Sequence, residues 1–450
     1  MNNLPEIKVG LMVTSAPHFP IDKAKKSMNE VTITFPFSKN NIVGPYLITS
    51  SKDAEKAAKN FKIEDIDVLV IVEGAFTWDN IPVRIVQELG NVPLIMWALP
   101  EPPMREDGKL STNSLCGAIM NCAALRKMGK RCKFIYGSPE GKKVLTSLKK
   151  FLKTVAVAKR LRHTKYGLIG YRPTGFYNST FDELSIRRLF GIETIHLSLI
   201  DVLEHSLSIP DEKVRDEVDR IKNKRKIGEA TERDLYSSAK FRKFLVDFSH
   251  KNGIDCYGVK CWPEFFKRNL SACFVISWLI DEGIMAGCEA DFDGTITMVL
   301  EYYLTGKTPW LADLVHIDEK ENTVVFWHCG AAPSSLASDK SEIIIQKQFR
   351  SLDRGASIEF PLKAGQVTIA RLGITDGEYR MFITTGEALP TRMILRGNPS
   401  IVRMDASVKK LLEAIIKNGV EHHYAIIYGN HKDDLVEVNR LLNINTIVVE

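Results

Sequence analysis

The stretch IDVLVIVEGAFTWDNIPVRIVQELGNVPLIMWAL, residues 66–99, holds two continuous apolar runs on either side of a segment with helical spacing. Strands buried on both faces read as unbroken runs rather than as alternation, so IDVLVIVEGAF and VPLIMWAL are expected to be neighbours in a parallel sheet, with WDNIPVRIVQELG crossing over as a helix. Upstream, IKVGLMVTSA (7–16) is a further strand and SSKDAEKAAKNFKIE (50–64) an amphipathic helix. Together these segments predict a doubly wound α/β unit.

A second unit of the same kind opens at YGLIGYRPTGFYNSTFDELSIRRLFGIETIHLSLIDVLE, where a strand enters a Gly- and Pro-containing loop, then a helix, then the strand ETIHLSL. Charge-rich helical sequence fills Ser208 to about Lys251. It is followed by the strand DCYGVKCW, the helix FVISWLIDEG, the strand IMAGCEA and the helix TITMVLEYYLTG. Beyond Pro309 the pattern changes. NTVVFWHCG, SIEFPL, GQVTIARLG and YRMFITTGEAL alternate apolar and polar residues between turn signals, which predicts an antiparallel β-rich module. Two helix–strand pairs, SVKKLLEAIIKNG with HHYAIIYGN and KDDLVEVNRLLNIN with TIVVE, close the chain. The expected organisation is an N-terminal Rossmann-like domain over 1–160, a central one over 161–320 and a β-rich C-terminal domain with a terminal α/β segment over 321–450.

Composition narrows the function classes. The 450 residues exceed one typical core, and 44% hydrophobic with 26% charged residues suits a fully folded globular chain. Sixty-one Lys and Arg against fifty-five Asp and Glu leave a net charge of +6, too small to argue for nucleic acid. The densest basic segments, KKFLKTVAVAKRLRHTKYG from Lys149 and RIKNKRK from Arg220, have apolar residues at helical intervals and read as solvated helix faces. No apolar run approaches the roughly 20 residues of a membrane span, and MNNLPEIKVGLMVTSAPHFP lacks the form of a secretory leader. A cytoplasmic protein is expected. Its eight cysteines contain no C-x-x-C pair, which removes zinc-knuckle and thioredoxin readings and suits a reducing compartment.

Ligands of open α/β sheets collect at the carboxyl ends of strands. Three such ends carry chemistry: DCYGVKCWPE delivers Glu264, IMAGCEAD delivers Glu289 and Asp291, and NTVVFWHCG delivers His328. Two carboxylates and an imidazole make a donor set for Mn²⁺, Fe²⁺ or a similar divalent ion with positions left for substrate. An acid after a strand is also the usual helix N-cap, and Asp291 or Asp293 would cap GTITMVLEYYL with no other duty. EHHYAIIYGN adds His422 and His423 ahead of a short strand. YLTGKTP lacks the first glycine of a phosphate loop, GLIGYRPTG departs from the dinucleotide spacing, and no G-x-S-x-G elbow exists. Cys116 in STNSLCGAIMN reads as a small residue packed at a helix start.

VPLIMWALPEP, LCGAIMNCAALRKMGKRCKFIYG, YGLIGYRPTGFYNSTFDEL, VKCWPE, CEADFDGTITM, WHCGAAPSSLA and EHHYAIIYGN together resemble the L-fucose/L-arabinose isomerase family, in order along nearly the whole chain. The resemblance implies an aldose–ketose isomerase using Mn²⁺, with two Rossmann-like domains and a β-rich C-terminal domain, assembled as a homo-oligomer (trimer or hexamer). By motif, Glu264 resembles one metal carboxylate and Asp291 the other, with Glu289 as its alternative. HCG points to His328 as the histidine ligand, and HHY to His422 or His423. The implied reaction is a cis-enediol isomerisation of an L-fucose-, L-arabinose- or D-arabinose-type sugar, in which Glu264 and Asp291 move the protons and Trp97, Trp262 and Trp327 are candidates to line the sugar face. The competing expectations are a sugar-binding protein without turnover and a metal-dependent aldolase acting on a ketose phosphate.

Overall fold

A computed structural model describes residues 4–103, 106–349 and 354–450. By its internal contacts the chain divides into two units, Leu4–Lys159 and Arg160–Glu450.

In the first unit β1 (Val9–Thr14), β2 (Ile42–Ile48), β3 (Val68–Glu73), β4 (Leu94–Ala98) and β5 (Cys132–Tyr136) pair in the order β2-β1-β3-β4-β5, all parallel. Every residue of β1, β3 and β4 is buried, as their unbroken apolar runs require. The helix Ser51–Ile63 turns Ala54, Ala57, Ala58 and Phe61 inward and is capped by Ser50, which accepts a hydrogen bond from the Asp53 amide. β2 is missing from the sequence reading because Gly44 and Pro45 interrupt it. It is an edge strand, half exposed, where a missing amide donor is tolerated.

Glu73 ends β3 fully buried, accepting hydrogen bonds from Thr14 Oγ1 (2.6 Å) and Asn121 Nδ2. Burial, opposed by those hydrogen bonds, pushes its carboxyl up to about 7 from 4.5. A carboxyl whose pKa rises on folding favours the folded state while it is protonated. That stabilisation is complete below pH 4.5 and disappears as pH rises through about 7. Melting curves between pH 5 and 8 are therefore expected to fall with rising pH. Glu73→Gln, which stays neutral, should remove a slope worth on the order of 3 kcal/mol. An unchanged slope in the variant would place the effect elsewhere.

The second unit begins with β6 (Lys165–Ile169), β7 (Glu193–Leu197), β8 (Lys226–Ile227), β9 (Cys256–Val259) and β10 (Met285–Cys288). Four of these form a parallel sheet in the order β10-β9-β6-β7. Then come β11 (Trp310–Asp318), β12 (Thr323–His328), β13 (Ile344–Lys347), β14 (Ala356–Glu359), β15 (Gly365–Thr375), β16 (Glu378–Ala388), β17 (Asn398–Met404), β18 (His423–Tyr428) and β19 (Asn445–Val449). Seven of them run in the order β15-β18-β11-β12-β17-β16-β19, and β15 also pairs with β16. Six antiparallel strands thus close on one another and leave no free edge among themselves, while β19 adds to β16 in parallel. Trp310, Phe326, Val367, Ile369, Phe382, Tyr424 and Ile426 belong to its core. β8, β13 and β14 form a small third sheet.

The fold is thus mixed α/β with parallel sheets flanked by helices and a β-rich C-terminal region, as the sequence patterns predict. The basic segment from Lys149 lies in the helix Lys142–Leu161, burying Leu148, Phe151, Leu152 and Val155 while Lys149 and Lys153 stay exposed. Among the described residues no helix is long and apolar enough to cross a membrane.

Candidate active site

Two elements of the second unit converge: the carboxyl edge of the β10-β9-β6 sheet and the end of the closed antiparallel sheet where β18 begins. After β10 the chain takes two consecutive left-handed residues, Glu289 (φ 58°) and Ala290 (φ 55°), pinned by the Ala290 amide on Val259 O (3.0 Å) and the Asp291 amide on Cys288 O (3.1 Å). Non-glycine residues in this region cost roughly 1–3 kcal/mol each, and such strain concentrates at working sites. This turn brings Glu289 to the paired histidines. Its Oε2 lies 3.4 Å from His422 Nε2 and 3.8 Å from His423 Nε2, and donor atoms of Glu289, His422 and His423 all fall within 4.8 Å of one another. His422 is partly exposed, whereas the other two are enclosed.

Asp291 stands behind this cluster. Its Oδ1 accepts from the Gly294 amide (3.0 Å), capping the helix Phe292–Thr305, and its Oδ2 receives Arg371 Nη1 (2.5 Å) and His423 Nδ1 (2.8 Å). Burial alone would raise this carboxyl, but the Arg371 charge and the His423 contact outweigh it and hold the group far below the usual carboxylate range. Both oxygens are engaged, and so acid a group is a poor proton acceptor. Arg371 in turn is buried between Asp291 and Glu421, with Nε 3.2 Å from Glu421 Oε2. A Cβ at position 294 would stand 2.6 Å from both Arg371 Nη1 and Asp291 Oδ2, so only glycine admits this packing.

With Nδ1–H donated to Asp291, His423 turns the lone pair of Nε2 toward Glu289 and toward Asp313 Oδ1 (3.5 Å), its cross-strand partner on β11. A lone pair aimed at two carboxylates calls for positive charge between them. A carboxylate holding the far nitrogen of a histidine is also the arrangement that orients metal-binding imidazoles. Burial opposes the cationic form of His422, yet its hydrogen bond to Glu289 and the charges of Asp291 and Asp313 carry its pKa upward overall, so the whole site attracts cations. Two imidazoles and a carboxylate suit a divalent transition ion.

The remaining candidates are placed as follows. Glu264 follows β9, the strand next to β10; Lys260 Nζ holds its Oε1 at 2.7 Å, while Oε2 is buried without a partner. His328 ends β12, buried, with its ring 5.8 Å from that of His423 and Nδ1 3.6 Å from Cys329 Sγ. Trp262 packs on Phe176 (5.4 Å between rings), which also meets His422 (6.2 Å). Trp327 is buried, with Nε1 donating to Arg396 O (2.6 Å). Trp97 is a core residue of the first unit, bonded to Gly137 O (2.9 Å). The nearby thiols meet one another, Cys261 with Cys288 (3.0 Å) and Cys273 with Cys329 (3.7 Å), and none joins the Glu289 cluster. Cys116 does lie in the first turn of the helix Ser114–Lys127, but it is exposed rather than packed. Sequence reasoning missed Asp313 and Arg371, each a charged residue inside an apolar strand; that interruption was the available signal.

Residues 10–162 match the family model described as the fucose/sulfoquinovose isomerase N-terminal domain, and residues 326–450 match that of the L-fucose isomerase C-terminal domain. A sulfoquinovose isomerase from Clostridium sp. (strain MSTE9) is 30% identical over 366 residues, 80% of this chain and 81% of that protein. The chain belongs to the L-fucose isomerase-like family. Another member, the sulfoquinovose isomerase of Priestia aryabhattai, is 29% identical over 413 residues, 91% of this chain and 92% of that protein. As an L-fucose isomerase-like protein the chain is an enzyme, an aldose–ketose isomerase.

Proposed function

We propose that this enzyme interconverts an aldose and its 2-ketose by proton transfer through a cis-enediol, at a divalent-metal site made by Glu289, His422 and His423. The convergence of those three donors, with Asp291 fixing His423 from behind, is the observation that carries the reading. Manganese is the ion the family resemblance implies, and a mixed nitrogen and oxygen set accepts it among the first-row divalent ions. A bound divalent cation supplies Lewis acidity toward the two adjacent oxygens at C1 and C2 of the open-chain sugar.

The protein's own groups supply the rest. Asp291, held by Arg371, orients His423 and takes no proton itself. Glu264 offers its buried, unpartnered oxygen Oε2 as the group that removes the C2 proton and delivers a proton to C1, while the O2 hydroxyl proton passes to O1 to complete the conversion. Phe176 and Trp262 form the apolar wall beside His422, against which the C–H face of a sugar packs. For the substrate, the curated relatives named sulfoquinovose isomerase favour a hexose with a sulfonate at C6 over an unsubstituted L-fucose-type sugar.

Turnover in deuterated water tests the chemistry. The expected result is deuterium at C1 of the ketose product; a product free of label would replace the enediol with a hydride shift. EDTA treatment followed by Mn²⁺ should abolish and then restore the activity.

A further inference from the structure

The loop after β6 carries a charge that the proposed chemistry does not use. β6 pairs in parallel with β9, so Gly170 sits directly beside Lys260; a Cβ on Gly170 would lie 3.1 Å from that of Lys260. From Gly170 the chain runs through Tyr171, Arg172 and Pro173 to Phe176, which returns to meet Trp262 and His422. Arg172 is half-buried in this loop. Its guanidinium stacks over the Tyr177 ring at 4.5 Å and faces Tyr171 at 5.7 Å, Nη1 donates to Pro173 O (3.3 Å), and Nε is buried without a hydrogen-bond partner. Lys260 is already neutralised by Glu264. No ion pair with an acid ties down Arg172 among the described residues.

Successive strands of the sheet space these groups. Glu289 follows β10, Lys260 follows β9 and Arg172 lies just past β6, so the guanidinium loop is two strand spacings, roughly 10 Å, from the metal donors. An open-chain hexose held by its C1 and C2 oxygens and lying across this edge would bring its C6 substituent to that loop. Arginine, stiffened by aromatic stacking and with unspent N–H donors, is suited to grip a tetrahedral oxyanion in two-pronged fashion.

We propose that Arg172 is the specificity residue that binds an anionic group, a sulfonate or a phosphate, at the far end of the sugar. This rests on the isomerase reading for the placement of C1 and C2, so the test reads binding and turnover separately. Isothermal titration of Mn²⁺-loaded wild type and Arg172→Gln would use three sugars: sulfoquinovose, its neutral counterpart 6-deoxyglucose, and glucose 6-phosphate. The expected result is about 10²-fold weaker binding of sulfoquinovose to Arg172→Gln, the size of a lost charge-assisted hydrogen-bonding group, with 6-deoxyglucose unchanged. Arg172→Lys should recover part of the loss. Tighter wild-type binding of glucose 6-phosphate than of sulfoquinovose, lost likewise in Arg172→Gln, keeps the role of Arg172 and assigns it to phosphorylated sugars. Equal losses for the charged and neutral sugars, or none for either anion, would overturn it. Anion-selective binding without turnover of any aldose would fail the isomerase reading alone.

Discussion

His423→Ala and Glu289→Gln are each expected to lower kcat by roughly 10²–10³-fold, the usual cost of removing a preorganised electrostatic stabiliser, while the protein remains folded. Among the described residues the Glu289 side chain makes one hydrogen bond, with His422 Nε2, and lies 3.8 Å from His423 Nε2, while its left-handed backbone is held by the Ala290 and Asp291 amides. Glutamine keeps the size and loses the charge. His423→Ala additionally releases one of the three partners of Asp291, but Arg371 and the Gly294 amide retain that carboxylate. Steady-state kinetics beside a thermal melt separates the two effects. A variant that loses activity only in proportion to its loss of folded protein would deny these residues a chemical role.

Arg371→Met has the opposite profile, a stability effect first and an activity effect through it. The side chains of Arg371 and Asp291 are 1% and 2% exposed, and Glu421 shares the same guanidinium. Removing the cation leaves buried carboxylates uncompensated, at a cost of roughly 3–5 kcal/mol. A fall in Tm of about 10 °C is the corresponding expectation. The burden then falls on Asp291, which can meet it by protonation. Protonated Asp291 no longer polarises or orients His423 in the same way, so metal affinity should drop by the 10–100-fold typical of lost supporting hydrogen bonds. Asp291→Asn should reproduce the metal effect with a smaller stability loss, because the amide still accepts from Arg371. If Arg371→Met melts like wild type, the buried pair carries no net stability and the chain of support from β15 to His423 fails.

The sequence made some parts of this arrangement visible and concealed others for identifiable reasons. Strands such as VLVIV and LIMWA are legible because both faces are covered, so each residue is apolar. The antiparallel character of VTIARLG and MFITTG was legible as alternation, but closure of their sheet depends on β15 meeting β16 while other strands complete the circuit, which no local pattern encodes. Strand ends flagged Glu264, Glu289 and Asp291 alike. What distinguishes them is long-range: the left-handed turn at Glu289, and an arginine 80 residues beyond Asp291 that occupies its carboxylate. The paired histidines were visible as a dipeptide, whereas their separate exposures, one buried at the head of β18 and one open, follow only from the strand's register against Asp313.

Titration of the apoprotein with Mn²⁺, following the free-ion signal by electron paramagnetic resonance, asks whether Glu289, His422 and His423 hold the metal. The expected result is one tight site per chain in the wild type and its loss in Glu289→Gln and in His423→Ala. Undiminished Mn²⁺ binding in both of those variants, with loss only in Glu264→Gln, would contradict it.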